Sequence, residues 1–337
     1  MKYKLLGKSG LRVSELALGT MTFGTEWGWG ADKAESRKIF DVYAHSGGNF
    51  IDTANRYTEG TSERFVGEFI QEDRDHFVLA TKYTLFDRPG DPNFSGNHRK
   101  NMVRSVEASL KRLATDHIDL LWVHAWDFMT PVEEVIRGLD DLVTAGKVHY
   151  IGISDTPAWI VSQANTLATF RGWSAFIALQ AEYNLLQRDA ERDLIPMAQS
   201  LGLALTPWAP LAGGALTGKY LKGDEGRIND SNTRRNERAT QITLKLVEIA
   251  KELGVSPALL AIRWAMQKDL VSIPLVGART QQQMVENLKV KEVEIPEAQL
   301  TVLNEVSEID LGFPHSFLSK KEVKQVVYGG TFDEITT

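Results

Sequence analysis

HFVLATK (76–82), KNMVRSVEASLKRL (100–113), HIDLLWVH (117–124), PVEEVIRGLDDLVTAG (131–146) and KVHYIGIS (147–154) follow one another with short connections. The first, third and fifth are short apolar runs that read as strands. The second and fourth space their apolar residues as helices do, and the fourth has Pro at its first turn and Gly at its end. Strands alternating with helices imply βα units and a parallel sheet.

The same alternation extends in both directions. Toward the N-terminus lie the strand SELALGT (14–20), the helix DKAESRKIFDVYAHSG (32–47), the strand NFIDTA (49–54) and the helix TSERFVGEFIQ (61–71), the last opened by a capping-box-like Ser62. Toward the C-terminus come the helix PAWIVSQANTLA (157–168), the strand AFIALQ (175–180), the helix RDLIPMAQSLG (192–202) and the strand LALTPWAP (203–210). Two helices (239–254 and 256–268), the strand LVSIPLVG (270–277) and a last helix (280–289) complete the series. Eight strands, each followed by helix, predict an α/β fold of the (β/α)8 TIM-barrel type, with 1–337 as a single domain. No GxGxxG follows any strand, which argues against a Rossmann domain. Residues 2–14 hold Gly-bearing turn chemistry between two extended pieces and predict a small β-hairpin capping the closed end. A long glycine-rich loop (211–235) joins the seventh strand to its helix.

The chain has 337 residues, a formal charge of -6 and no cysteine. A disulfide framework, a thiolate metal site and a catalytic thiol are excluded, and no metal is expected. The mild acidity and the lack of a basic cluster beyond Arg234, Arg235 and Arg238 give no footprint for nucleic acid. The first twenty residues lack the apolar core of a signal peptide, and no run of about 18 apolar residues exists. A cytoplasmic location is the default expectation; oligomeric state is left open.

In a parallel barrel the functional face is the rim at the strand C-termini. The first strand ends in Gly19-Thr20, the second in Asp52 with Tyr57 five residues on, and the third in Lys82. The fourth ends in His124, the fifth in Ser154-Asp155 and the sixth in Gln180, while the seventh runs into Trp208. Singly, each has a plain structural reading: a loop cap for Asp52, a solvent-reaching lysine, a satisfied core histidine, a packed tyrosine. Four ionisable groups from consecutive strands on one rim favour chemistry, since charges are rarely buried unpaired. Lys82 can pair with Asp52, and its ammonium is expected to lower the pKa of Tyr57. Tyr57 can then give a proton to a developing alkoxide, and His124 can orient a carbonyl oxygen. The hydride must come from a cofactor.

The segments IDTANRY (51–57), LATK (79–82), DLLWVHAWD (119–127), GKVHYIGISD (146–155), LQAEYNLL (179–186) and TPWAPLAGGALTGKY (206–220) resemble the aldo-keto reductases, in order and over nearly the whole chain. NHRKNMVRSVEASLKRL (97–113) and IPLVGARTQQQMVENL (273–288) resemble the aryl-alcohol dehydrogenase-like branch. The resemblance implies a tetrad of Asp52, Tyr57, Lys82 and His124, with Tyr57 as general acid. It implies a cofactor site in which Ser154, Asp155 and Gln180 hold the nicotinamide carboxamide and Trp208 stacks on its ring. Gly19, Thr20, Met21, Asp52, Ala209, Pro210, Leu211, Gly213, Leu216 and Lys219 line the same site, with Gly277, Arg279, Gln283, Glu286 and Asn287 toward the phosphate and adenine.

Two positions depart from the family pattern. Asp155 stands where many relatives have Asn, and an ionised carboxylate cannot donate to the carboxamide oxygen. Gly277 stands where many have a phosphate-binding Lys, which leaves Arg279 as the phosphate donor and favours NADP(H), with NAD(H) as the other possibility. Rim aromatics Phe23, Trp27, Tyr83, Phe86 and Trp126 are expected to line a pocket for an aldehyde, ketone or sugar. Phe313, Phe317 and Tyr328 of the tail are expected to close one side. Two rival readings stand beside this one: a regulatory or redox-sensing subunit of the same fold, and a Schiff-base aldolase using Lys82.

Overall fold

The computed structural model describes residues 1–222, 233–267 and 270–335. β1 (Tyr3–Leu5) and β2 (Arg12–Ser14) form the expected antiparallel hairpin. Eight strands follow: β3 (Ala17–Gly19), β4 (Phe50–Asp52), β5 (Val78–Tyr83), β6 (Ile118–Val123), β7 (Val148–Ser154), β8 (Phe176–Glu182), β9 (Ala204–Trp208) and β10 (Leu275–Val276). They pair in parallel in the order β10-β3-β4-β5-β6-β7-β8-β9. The ring closes between β9 and residues 271–273: the Leu205 N–H donates to the Val271 carbonyl at 2.8 Å, and the Ile273 N–H to the Leu205 carbonyl at 2.9 Å. The fold is therefore the (β/α)8 barrel. The closing seam is short because Pro207, two residues beyond Leu205, has no N–H to continue it.

The helices wrap the outside: α1 (Lys33–His45), α2 (Thr61–Ile70), α3 (Arg99–Leu113), α4 (Val132–Thr144), α5 (Ala158–Arg171), α6 (Leu194–Leu201), α7 (Glu237–Glu252), α8 (Pro257–Met266) and α9 (Gln281–Leu288). Their starts are chemically marked. Asp32 accepts from the Glu35 N–H at α1, Ser256 caps α8 with Pro257 at its first turn, and Thr280 caps α9. Three further helices, α10 (Glu297–Val306), α11 (His315–Leu318) and α12 (Lys321–Tyr328), extend beyond the expected last one. Ser62 is no cap. Its hydroxyl is buried and bonds Thr20 and Thr53, while Gly60, at φ +83°, precedes α2.

Leu6, Val13, Phe50, Leu120, Trp122 and Ile273 pack inside the barrel, with the hairpin contributing the first two at its base. Close approach sets two glycines. A Cβ on Gly7, at φ +59°, would lie 2.1 Å from the Ile177 carbonyl oxygen. One on Gly152 would lie 2.4 Å from the Trp122 ring, so β7 makes room for the indole that floors the mouth. The tail does not close the barrel: Phe313 is 83% exposed, and the hydrogen bonds of residues 313–335 run within the tail. Among the described residues no helix is long and apolar enough to cross a membrane.

Candidate active site

Side chains alternate between the two faces of a strand, so the inward positions near each C-terminal end share one space. That alternation brings Asp52, Lys82, Gln180 and Trp208 to the mouth. Lys82 and Asp52 form a fully buried ion pair, and the Lys82 ammonium also donates to the Thr53 carbonyl at 3.0 Å. Gln180 Nε2 donates to the other Asp52 oxygen at 3.0 Å, so both carboxylate oxygens are satisfied. Removing either ion would leave the other uncompensated, at a cost of about 3–5 kcal/mol.

Tyr57 leaves β4 on a constrained loop. Thr58 and Glu59 both adopt left-handed backbone, at φ 46° and 55°. The cost is met locally: the buried Thr58 hydroxyl donates to the Phe23 carbonyl at 2.6 Å. The Tyr57 ring centroid lies 4.8 Å from the Lys82 ammonium and 6.0 Å, edge to face, from the His124 ring.

Three pKa shifts mark the site. Burial raises the Tyr57 pKa above its ordinary value, outweighing the Lys82 charge that pulls it down. The lowering expected from Lys82 alone is therefore corrected: the phenol stays protonated at neutral pH. For Lys82 burial pulls downward, but Asp52, with Tyr57, carries its pKa above the usual lysine value. Burial, aided by Lys82, drops His124 well below the ordinary histidine value, so its ring is neutral. His124 Nδ1 is buried with no hydrogen-bond partner.

On the β7–β10 side, Ser154 and Gln180 are almost fully buried. Asp155, in left-handed backbone at φ 40°, accepts from the Trp208 indole N–H at 3.0 Å. Burial raises its pKa, against the indole hydrogen bond. The carboxylate that departs from the family pattern thus orients the rim tryptophan. Gly213 and Gly214 are both left-handed, in the loop holding Lys219. At the start of α9 the Arg279 side chain is exposed, with no hydrogen-bond or ion-pair partner among the described residues, while Gln283 accepts from the Arg279 backbone N–H at 2.8 Å. A half-exposed indole, a glycine turn and a free guanidinium at a helix N-terminus fit a dinucleotide with a terminal phosphate.

Some expected contact residues are already engaged within the protein. The Thr20 hydroxyl is sealed in, donating to the Asp52 carbonyl. Leu216 is wholly buried in the core. Glu286 pairs with Lys289, and Asn287 Nδ2 points to the Gly277 carbonyl at 3.4 Å. Two expected pocket residues are corrected. Tyr83 follows inward Lys82, so alternation turns it outward, where it packs with Met102 and Val106 of α3 and its hydroxyl donates to the Asn97 carbonyl. Phe23 is fully buried edge-on against Phe69 of α2. Trp27 does reach the mouth, with its ring 6.4 Å from that of Tyr57, and Phe86 is 41% exposed there. Trp126, at 9% exposure, is mostly core.

The sequence reading missed four residues. Arg56 places its guanidinium 4.5 Å from the Phe86 ring centroid and 5.9 Å from that of Trp27, and ion-pairs with Glu59. Glu59 accepts from the Trp27 indole at 3.3 Å, so the three make one lip. Glu182 ion-pairs with Arg234, tying the end of the loop after β9 to the rim of β8. Of the glycine-rich loop 211–235, Gly223 to Asn232 lie outside the described residues.

A barrel whose mouth holds a buried ammonium–carboxylate pair against a protonated phenol and a neutral imidazole is built for acid–base work on a bound substrate. Comparison with known proteins agrees. The model of the Aldo/keto reductase family matches residues 15–308. A norsolorinic acid reductase of Emericella nidulans is 41% identical over 324 residues, covering 92% of this chain and 82% of its own. An aryl-alcohol dehydrogenase [NADP(+)] of Phanerodontia chrysosporium is 39% identical, covering 91% and 86%. A putative aryl-alcohol dehydrogenase of Saccharomyces cerevisiae is 37% identical, covering 94% and 89%. The chain belongs to the aldo-keto reductase family and is an oxidoreductase of that class.

Proposed function

We propose that this enzyme reduces aromatic aldehydes or ketones to alcohols with NADP(H), with Tyr57 giving the proton. The observation that carries the reading is the convergence of Tyr57, Lys82 and His124 on one space, with Lys82 locked by Asp52. When bound, NADPH supplies the hydride. Trp208, fixed by Asp155, offers a flat face beside the nicotinamide, and Arg279 meets the phosphate. Names of the relatives, one carrying NADP(+), point the same way.

His124 positions the carbonyl oxygen. Its Nδ1 is buried without a partner, and buried N–H groups are left unpaired more rarely than lone pairs. The ring proton therefore belongs on Nε2, the nitrogen left to hydrogen-bond the substrate oxygen. Tyr57 then transfers its proton to that oxygen as it becomes alkoxide. Lys82 stabilises the resulting phenolate, which is why its charge is held so close. Trp27, Phe86 and Arg56 form an aromatic and cationic lip suited to a flat, electron-rich ring.

The rival aldolase needs a neutral, nucleophilic lysine. Lys82 is engaged by two acceptors and held protonated, which disfavours it. The decisive assay follows NADPH and NADH oxidation over a panel of aryl aldehydes, aliphatic aldehydes and sugars. Consumption of NADPH with the aryl members is expected. NADPH that binds, seen by quenching of tryptophan fluorescence, but is not consumed by any member would favour a regulatory subunit. Borohydride trapping of a carbonyl on Lys82 would favour the aldolase.

A further inference from the structure

We propose that His117, His149 and Asp119, at the base of the barrel, form a binding site for a divalent transition-metal ion such as Zn2+ that clips β6 to β7. His117 immediately precedes β6, Asp119 is its second residue, and His149 is the second residue of β7, while the register pairs Ile118 with Val148. The strand ladder itself thus brings the three side chains together, at the end opposite the mouth. One ligand atom from each residue lies within 4.8 Å of the others.

Two of the three donors are held in place. Asp119 Oδ2 is committed, accepting from Arg74 Nη2 at 2.7 Å and from the Leu79 N–H at 2.9 Å. That fixes the carboxylate and leaves Oδ1, which lies 3.7 Å from His149 Nδ1. His117 Nδ1 sits 2.7 Å from Asp116 Oδ1, the carboxylate–imidazole pairing that orients a ligating ring and leaves Nε2 as the metal donor. The two imidazoles stack at 4.6 Å, tilted by 24°, so rotation of the more exposed His149 is the adjustment that converges them. Metal–nitrogen bonds of about 2.0–2.1 Å require the donors to draw in by roughly an ångström.

Two imidazoles and one carboxylate select zinc, nickel or copper over magnesium or calcium, with water completing the shell. The Arg74 charge beside Asp119 weakens the site, which favours moderate affinity over the tightness of a structural zinc centre. The ion acts on stability, because ligand bound only by the folded state shifts unfolding. The site stands apart from the chemistry at the mouth.

The test is Zn2+ titration of the tag-free full chain by calorimetry, with melting temperature followed in parallel. One saturable site is expected, with a rise in melting temperature. His149→Gln and His117→Gln should each weaken binding at least about tenfold and abolish the rise, while NADPH-linked turnover is unchanged. Asp116→Asn, at a 96% exposed side chain that folding does not need, should weaken binding in the same direction. Absence of binding at millimolar Zn2+, or equal binding by the parent and all three variants, would overturn the proposal.

Discussion

The two ends of this barrel are built to opposite specifications. Eight non-glycine residues among those described adopt left-handed backbone. Seven of them, Thr58, Glu59, Thr84, Phe128, Asp155, Ala209 and Ala212, lie in loops that leave strand C-termini at the mouth. The eighth, Ala114, simply ends α3. The mouth also holds the buried Lys82–Asp52 pair and the partly buried Tyr57 and His124. The base holds apolar hairpin residues, Leu6 and Val13, and a glycine pressed against a neighbouring backbone. Backbone strain and the fully buried ion pair sit where chemistry is done, and close packing at the other end holds the frame.

The contrast makes separable predictions. The largest effect belongs to the buried pair. Lys82→Ala should lower stability by about 3–5 kcal/mol in a denaturant titration, because Asp52 is stranded. Most of that loss should return in the double variant Asp52→Asn/Lys82→Met; no recovery would mean the pair is not the cause. Next comes Arg279→Ala, which removes a charge-assisted phosphate contact worth about 1.5–3 kcal/mol. The KM for NADPH should rise roughly 10- to 100-fold with that for NADH little changed, and equal effects would remove Arg279 from the phosphate site. At the base, Gly7→Ala should cost about 1–3 kcal/mol of stability and leave kcat as it was, since it acts through packing alone. A matching fall in kcat would erase the distinction between the ends.

The smallest effect is a pH profile. Tyr57 must be protonated to act in reduction, and its pKa is raised above the ordinary value of about 10. His124 must be neutral, and its pKa is lowered below about 6.5. The kcat/KM for reduction should therefore stay level between about pH 6.5 and 10, falling only as pH rises through the Tyr57 pKa. Alcohol oxidation, which needs the phenolate, should increase toward alkaline pH. An inflection near neutrality in the reductive direction would contradict both shifts.

Much of the mouth was legible because two simple rules, strand alternation and the functional rim, act on residues near in sequence. Asp52, Lys82, Gln180 and Trp208 were placed by them. The same alternation argues against Tyr83, one residue after Lys82 and so on the opposite face. Ending the sixth strand at Gln180, two residues short, hid Glu182 on the inward face. Phe23 was misread because its partner, Phe69, sits on a helix whose docking no local pattern reveals. The bonds from Gln180 to Asp52 and from Trp208 to Asp155 exist only once the ring has closed, so residue order alone did not disclose them. Helix α10 carried a signal, Pro296 followed by Leu300 and Leu303 at helical spacing, that the eight-unit count overlooked.

The central claim is that Tyr57 is the proton donor for carbonyl reduction. It is tested most directly by Tyr57→Phe, measuring NADPH-dependent turnover of an aryl aldehyde together with NADPH affinity. Turnover should fall by about 10²–10⁴-fold with affinity and melting temperature retained. Turnover equal to that of the parent enzyme would contradict the account.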